Sequence, residues 1–329
     1  MTLSGVTLSK KSPKTLAKMG AYIIIMPDKI WCKANDDDTK LECGYMENRV
    51  DVASGETIKF SVCEASGKSI EWHDDEYYEN NPDELKDGSY VMSVNSNGKP
   101  SLKVYSATTG IWMTVASTYT QITASGIGKG FEKEDGVKIT TDYIGESLDN
   151  IFINTEEDGK YSTNTYIIDK TDNSITIPGI YNAKVTEYTE MNLTVERKVP
   201  EMSFITECNN RLWGCSTDGH EIYCCKLGDV KNWNCFRGAS TDSWAATIGS
   251  DGKFTGAITY LGYPIFFKED GLIKISVSSI GAHQTKETMC RGVQRGSHGS
   301  LAILNEVLYY KSSTCVCGYN GSLPYSISD

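Results

Sequence analysis

The chain has 329 residues, which is enough for about two domains or for one large all-β domain with an insertion. A hydrophobic content of 39%, with 30 glycines and 19 tyrosines, excludes a disordered protein and favours a turn-rich globular one. The net charge of −11 argues against a general nucleic-acid-binding protein, because such proteins present a basic surface to phosphates.

No apolar run approaches the roughly 20 residues that a transmembrane helix needs, so we expect no membrane partner. The N-terminal stretch carries lysines but no apolar segment before a cleavage site, which argues against a secretory signal peptide. The 11 cysteines include no C-x-x-C pair. We therefore expect reduced cysteines, buried in β-strands, in a protein made in the cytosol.

The first hairpin signal lies at residues 20–32, where two apolar runs flank a turn at 27–29. Acidic, irregular stretches follow, and a second clear hairpin is predicted at 102–115. A hairpin of this kind is typical of the outer half of a β-propeller blade. We therefore predict that residues 1–117 form a first propeller segment with enlarged acidic loops.

Residues 118–200 have a different pattern. Short alternating strands, including 150–153, 165–168 and 174–178, recur every 10–14 residues and are separated by Asp, Asn and Gly. This spacing suits a small closed barrel. We predict an inserted small β-barrel here.

Three further hairpins are predicted in residues 201–329, with turns near 216–219, 269–271 and 312–313. Aligning Trp213, Phe266 and Tyr309 gives separations of 53 (266−213) and 43 (309−266) residues. Roughly 40–50 residues per four-stranded unit is the period of a propeller blade. The three aromatic side chains would then be inter-blade core, and too few units are present to complete a ring. The expected alternatives are a fragment of a longer chain or an array that partners close.

The predicted fold class is therefore all-β, with propeller blades and an inserted small β-barrel. Several segments resemble one family: 195–200, 209–215, 226–229, 232–234, 240–243, 249–252, 266–269, 291–294 and 326–329. They are similar to the propeller-type structural proteins of tailed bacteriophages and prophages of Gram-positive gut bacteria. The resemblance covers 195–329 well, and 19–32 and 100–140 more loosely.

The resemblance implies a non-enzymatic virion component, tail-associated or near the head–tail junction, that serves as an assembly platform. It implies no catalytic residues. The expected location is the virion, after synthesis in the host bacterial cytoplasm. The expected partners are other virion proteins, with a second copy of the chain and packaged DNA as further candidates. The alternative is a carbohydrate-binding or carbohydrate-cleaving propeller used in host adsorption.

One segment is locally basic and carries Arg291, Arg295 and His298. These side chains are candidates for contact with phosphate or with a protein partner. The plain alternative is a loop between blades whose arginines pair with neighbouring acids.

Other motifs favour ordinary structural roles. The glycine-rich run 126–130 lacks the P-loop pattern and precedes a strand, so we expect no nucleotide cofactor. Cys224-Cys225 and Cys315-Val316-Cys317 lack a nearby histidine in a zinc-like spacing, and Asp36-Asp37-Asp38 does not fit a calcium loop. We therefore predict no metal and no cofactor. A nucleophilic pair of Cys215 with His220 stays open as an alternative to a hairpin crossing.

Overall fold

The computed structural model describes residues 5–10, 13–34, 41–145, 147–184, 186–278 and 282–328. Regular structure in these residues is almost entirely β-strand, as predicted. The longest α-helix among them spans only Tyr77–Asn80, and none is long and apolar enough to cross a membrane. The chain divides into two compact units, a discontinuous unit (1–47 and 198–329) and a central unit (48–197).

The discontinuous unit begins with sheet I, whose four strands pair antiparallel in chain order: β1 (Thr15–Met19), β2 (Tyr22–Met26), β3 (Ile30–Ala34) and β4 (Leu41–Tyr45). The hairpin predicted at 20–32 is confirmed as β2 and β3. Lys29 takes a left-handed φ of 54° in the turn between them.

Cys32 and Cys43 lie directly opposite each other on β3 and β4 and form a disulfide. The expectation that all cysteines are reduced is therefore wrong for this pair. Strand register brings the two residues together, and the sequence alone does not show that register. The other nine cysteines are free.

The central unit contains the following elements in chain order: β5 (Asn48–Val52), β6 (Ile58–Cys63), β7 (His73–Asp74), α1 (Tyr77–Asn80), a 3-10 helix (Pro82–Glu84), β8 (Tyr90–Val94), β9 (Pro100–Ser106), β10 (Ile111–Thr114), β11 (Tyr119–Thr123), β12 (Gly136–Thr141), a 3-10 helix (Leu148–Asn150), β13 (Asn154–Thr155), β14 (Tyr161–Tyr166), β15 (Asp169–Thr171), β16 (Ser174–Pro178), β17 (Glu187–Tyr188) and β18 (Leu193–Arg197).

Two five-stranded sheets enclose the core of the central unit. Sheet V has the order β15-β16-β11-β6-β17, and sheet VI has the order β13-β14-β12-β18-β5. Phe60 and Ile122 of sheet V pack in one cluster with Ile139 and Val195 of sheet VI. Among the described strands, each sheet has two free edges, so the predicted closed barrel is not what the pairing forms.

The predicted boundary at 117/118 is also wrong, because β5 and β6 belong to these sheets. β5 pairs with β18, and β6 pairs with β11, so the unit starts at residue 48. The predicted hairpin at 102–115 is confirmed as β9 and β10, but it lies in a separate sheet VII of the central unit, with the order β10-β9-β8-β7. The strand predicted at 150–153 is a turn, whose Ile151 and Phe152 are buried in the core.

Three more four-stranded sheets complete the discontinuous unit, each antiparallel and in chain order. Sheet II has β19 (Met202–Cys208), β20 (Arg211–Ser216), β21 (Glu221–Cys224) and β22 (Trp244–Thr247); sheet III has β23 (Gly256–Tyr260), β24 (Tyr263–Lys268), β25 (Gly271–Val277) and β26 (His283–Met289); after a 3-10 helix (His298–Ser300), sheet IV has β27 (Ala302–Leu304), β28 (Val307–Lys311), β29 (Val316–Tyr319) and β30 (Tyr325–Ser326). The three hairpins predicted here are confirmed as β20–β21, β24–β25 and β28–β29.

The first two strands of each of these sheets are joined by a two-residue turn. In sheets II to IV both turn residues have left-handed φ angles between 49° and 76°: Asn209-Asn210, Leu261-Gly262 and Asn305-Glu306. Such turns match the right-handed twist of the strands they connect. They also provide a common reference position for aligning the sheets.

Alignment at these turns makes Ile24, Trp213, Ile265 and Tyr309 equivalent. The predicted equivalence of Phe266 is therefore wrong by one residue, and the separations become 52 (265−213) and 44 (309−265). In a strand, one residue reverses the face. Phe266 accordingly packs towards sheet II, in one cluster with Trp213.

Apolar clusters join consecutive sheets of the discontinuous unit. Met19 of sheet I packs with Leu212 of sheet II. Between sheets III and IV, the rings of Phe267 and Tyr310 lie 5.0 Å apart. Each interior sheet thus buries one face against the preceding sheet and the other face against the following sheet.

Candidate functional site

The predicted basic residues lie on the segment that connects β26 to β27. Arg291, Arg295 and His298 are all exposed. Hydrogen bonds hold this segment against its neighbours, since the Tyr310 hydroxyl donates to the Arg291 carbonyl (2.6 Å) and the Arg295 main-chain N–H donates to Glu269 Oε1 (3.1 Å). The segment is a loop between two sheets, as in the plain alternative, but the arginine–acid pairs of that alternative are not seen among the described residues.

The three predicted side chains have different neighbours. The His298 ring lies 5.2 Å from the ring of Phe204, whereas an Arg291 guanidinium nitrogen lies 3.5 Å from the Cys315 sulfur. No salt bridge of Arg291 or Arg295 occurs within the described parts of the chain. A phosphate or partner contact by this segment stays a prediction.

Arg291 instead belongs to a polar cluster around Cys315. A tight turn follows β28, in which the Ser312 main-chain N–H donates to the Cys315 carbonyl (2.9 Å) and the Cys315 N–H donates to Ser312 Oγ (3.2 Å). This turn holds the Cys315 sulfur 3.4 Å from Ser312 Oγ and 3.8 Å from Thr314 Oγ1. The Cys317 sulfur lies 3.6 Å from that of Cys315.

These polar neighbours favour the thiolate form of Cys315. Hydrogen bonding to Ser312, followed by smaller contributions from Ser326, Cys317 and Thr314, lowers the pKa of Cys315 to about 6. Cys317 is buried among apolar side chains, and burial raises its pKa. Two thiols in contact therefore have their pKa values shifted in opposite directions.

Sequence reasoning assigned Cys315 and Cys317 to core packing and missed this cluster. Only Cys317 is buried; Cys315 is partly exposed. The C-x-C spacing was the available signal. However, the sequence does not reveal that the turn brings Ser312 and a distant arginine to the same sulfur.

Cys215 and His220, the pair left open as a nucleophile and base, do not form one. Cys215 is fully buried between sheets II and III, and burial raises its pKa to about 12. Its thiol contacts the carbonyl of Phe204 (3.7 Å), while His220 is exposed in the turn after β20. The hairpin crossing accounts for both residues.

Cys224 and Cys225 point to opposite faces of sheet II, one towards sheet III and the other towards sheet I. The described residues contain no group of three or more His, Cys, Asp or Glu side chains arranged to hold a metal ion. The aspartates 36–38 lie outside the described residues.

The glycine-rich loop 126–130 leads into strand β12, as expected, and no helix follows it. The main-chain N–H of Gly128 donates to the Asp172 carbonyl (3.1 Å), and the Lys129 carbonyl accepts from the Asn48 side chain (2.9 Å). These backbone groups are thus occupied by protein contacts, which explains the glycines without a phosphate ligand.

A cavity of about 520 Å³ lies between sheets II and III. The guanidinium of Arg211 lines it but donates to three main-chain carbonyls, those of Cys225, Asp242 and Ser240 (2.6–2.8 Å). Trp213 is 97% buried and packs its ring against His283 at 5.2 Å. The Arg211 guanidinium is thus occupied by hydrogen bonds to the main chain, and the Trp213 ring by packing against His283.

Comparison of the chain with protein-family models and with curated proteins finds no match in either.

Proposed function

We propose that the chain is a non-enzymatic structural protein of a tailed-bacteriophage virion, tail-associated or near the head–tail junction. In this proposal it acts as an assembly platform through protein–protein contacts. The observation that carries the proposal is the row of four similar sheets in the discontinuous unit, whose last sheet leaves an apolar face uncovered. The resemblance of residues 195–329 to phage propeller proteins supports the same role.

The four sheets correspond to propeller blades in this proposal. Each has four antiparallel strands in chain order, which is the composition of a blade. The first strands of sheets I to III are neighbours, since β1 contacts β19 and β19 contacts β23. The central unit is then an insertion between the first blade and the second.

Equivalent positions show how the last sheet differs from the others. Met19, Cys208 and Tyr260 end the first strands of sheets I to III and are 1–3% exposed, because the following sheet covers them. Leu304 occupies the same position in sheet IV and is 63% exposed.

The same contrast recurs on the third strands. Ile222 and Leu272 are buried by the following sheet, whereas the equivalent Val316 is 41% exposed. Tyr325 and Ile327 are exposed beside Val316. An exposed apolar surface of this kind marks a protein-interaction site.

The opposite end of the row also has uncovered apolar side chains. Leu16 is 66% exposed and Ile23 is 44% exposed on the face of sheet I that points away from sheet II. The equivalents of Ile23 in the later sheets, Leu212, Pro264 and Leu308, are buried by a preceding sheet. We assign the uncovered face of sheet IV to sheet I of a second copy, because one chain carries both halves of such a contact.

A head-to-tail contact of this type is heterologous, so it extends beyond two copies. Light scattering during size-exclusion chromatography should therefore show a mass that rises with concentration. Leu304→Lys should lower the mass by blocking one end, and Leu16→Lys by blocking the other. Met289→Lys is the matched control, since Met289 is exposed on the outermost strand of sheet III and should have no effect.

Mixing the two blocked variants distinguishes this contact from others. Each variant keeps the end that the other has lost, so the mixture should form a dimer and nothing larger. A wild-type chain that stays monomeric contradicts the assignment, as does a mixture that stays monomeric. If Leu304→Lys abolishes association and Leu16→Lys does not, the contact is instead a two-fold one between copies of sheet IV.

The virion role has its own test, which is independent of the contact between copies. Mass spectrometry of density-purified particles, induced from the bacterium that encodes the chain, should detect it in a fixed ratio to the major tail protein. Its absence from particles that contain the other tail proteins would contradict the proposed function.

A further inference from the structure

The dithiol Cys315/Cys317 differs from every other free cysteine of the chain. Of the nine free cysteines, seven are buried, and only Cys315 and Cys290 are partly exposed. Burial raises the pKa of Cys290 to about 11, so it is protonated near neutral pH. Cys315 alone combines access to solvent with polar neighbours that stabilise a thiolate.

Stabilisation of a thiolate makes a cysteine nucleophilic and oxidisable near neutral pH. Around the Cys315 sulfur, the Arg291 guanidinium supplies a positive charge at 3.5 Å, and the Ser312 and Thr314 hydroxyls supply hydrogen-bonding groups. Nothing in the assembly role described above uses these contacts.

A second thiol lies within reach of the first. The two sulfurs are 3.6 Å apart, so they must approach by about 1.5 Å to reach the length of a disulfide bond. Cys317 lies in strand β29, while Cys315 lies in the turn before that strand and is the more exposed of the two. Oxidisable cysteines with a resolving partner have this arrangement.

We propose that Cys315 and Cys317 form a peroxide-reactive dithiol site. The Cys315 thiolate attacks a peroxide oxygen, the O–O bond breaks, and the products are Cys315 sulfenic acid and hydroxide or alkoxide. The Cys317 sulfur then attacks the Cys315 sulfur and displaces hydroxide, which takes the Cys317 proton and leaves as water. The two thiols lose two electrons, and the peroxide gains them.

Alkylation rates test the first half of this proposal. With iodoacetamide at pH 7, Cys315 in the folded chain should react at least about tenfold faster than Cys290, because thiolate fraction outweighs the lower nucleophilicity of a more acidic thiol. The rate at Cys315 should rise with pH to a midpoint near 6. Arg291→Gln should move that midpoint upward.

Oxidation tests the second half. The tryptic peptide 312–329 carries both cysteines, so a disulfide between them lowers its mass by two hydrogen atoms. Dilute hydrogen peroxide should produce this peptide, and dithiothreitol should restore the reduced one. Cys290→Ser is the matched control and should leave the reaction unchanged.

Cys317→Ser should stop the reaction at Cys315 sulfenic acid, which dimedone traps. If circular dichroism shows that this variant does not fold, the test is the mass of peptide 312–329 from the peroxide-treated wild-type chain. Equal alkylation of Cys315 and Cys290 at pH 7 would overturn the proposal. A peroxide-treated peptide 312–329 without the internal disulfide would also overturn it.

Discussion

The side chains of Arg197 and Asp135 form an ion pair inside the central unit. Their exposed fractions are 3% and 1%, and Asp135 also accepts a hydrogen bond from the Glu132 main chain (2.7 Å). Removing one partner leaves the other charge buried without its counter-ion. Such a loss is strongly destabilising, whereas replacement of both charges by apolar groups is often tolerated.

Asp135→Asn should therefore lower the free energy of unfolding of the central unit by about 3–5 kcal/mol, measured by urea denaturation. Lys59→Gln is the control, because the Lys59–Glu187 pair is exposed and should contribute only about 0–1 kcal/mol. A double variant, Asp135→Leu with Arg197→Met, should lower the free energy of unfolding by less than Asp135→Asn does. Equal small effects of Asp135→Asn and Lys59→Gln would contradict a desolvated pair.

At the scale of single elements, Gly128 is required by close packing of its loop. A Cβ atom at this position would lie 1.9 Å from the Thr171 carbonyl oxygen, which is backbone and cannot rotate away. Gly128→Ala should lower the free energy of unfolding by about 1–3 kcal/mol through overpacking. Gly299→Ala is the matched control, since open space surrounds that position. Equal stability of the two variants would refute the packing explanation.

The turn between β23 and β24 places Leu261 at a left-handed φ of 51°. That conformation costs about 1–2 kcal/mol in most L-residues but less in asparagine. Leu261→Asn should raise the free energy of unfolding by about 1 kcal/mol, because Leu261 is more than half exposed and loses little burial. Leu227→Asn, at an exposed leucine without a positive φ, should bring no such gain. Denaturation of both variants in urea measures the difference.

For the whole molecule, the two units should fold independently, because each has its own apolar core. The chain passes between the two units at 47/48 and at 197/198. Within each unit, the two residues at these boundaries lie close together. Asn48 and Arg197 are paired partners on β5 and β18, and the Val199 N–H donates to Glu47 (3.1 Å). An insertion with adjacent ends leaves its host without a gap to span.

Residues 48–197 expressed alone should fold cooperatively, and so should 1–47 joined to 198–329 by a short Gly-Ser linker. Near-ultraviolet circular dichroism and thermal unfolding measure both. If the contact between copies involves sheets I and IV, the joined variant keeps the self-association of the intact chain. Failure of either piece to fold in isolation would show that the units depend on each other.

Turn chemistry and strand alternation predicted the hairpins well. Asp218-Gly219 and Asp270-Gly271 favour tight turns whatever surrounds them, so β20–β21 and β24–β25 could be predicted locally. The turns between the first two strands of sheets II to IV were missed. Leu261 and Glu306 rarely take a left-handed φ, whereas Asn209-Asn210 carries residues that tolerate it. Because these turns were missed, the predicted alignment placed Phe266 one residue away from its true position and therefore on the wrong face of the sheet.

The sequence by itself determined the all-β class and the positions of the hairpins, because both depend on side chains close together in the chain. Only the tertiary structure decided which strands share a sheet. β5 joins β18 across more than 140 residues, and Arg291 reaches Cys315 from another strand connection. Such pairings depend on total burial and on register between distant segments, which no local pattern encodes.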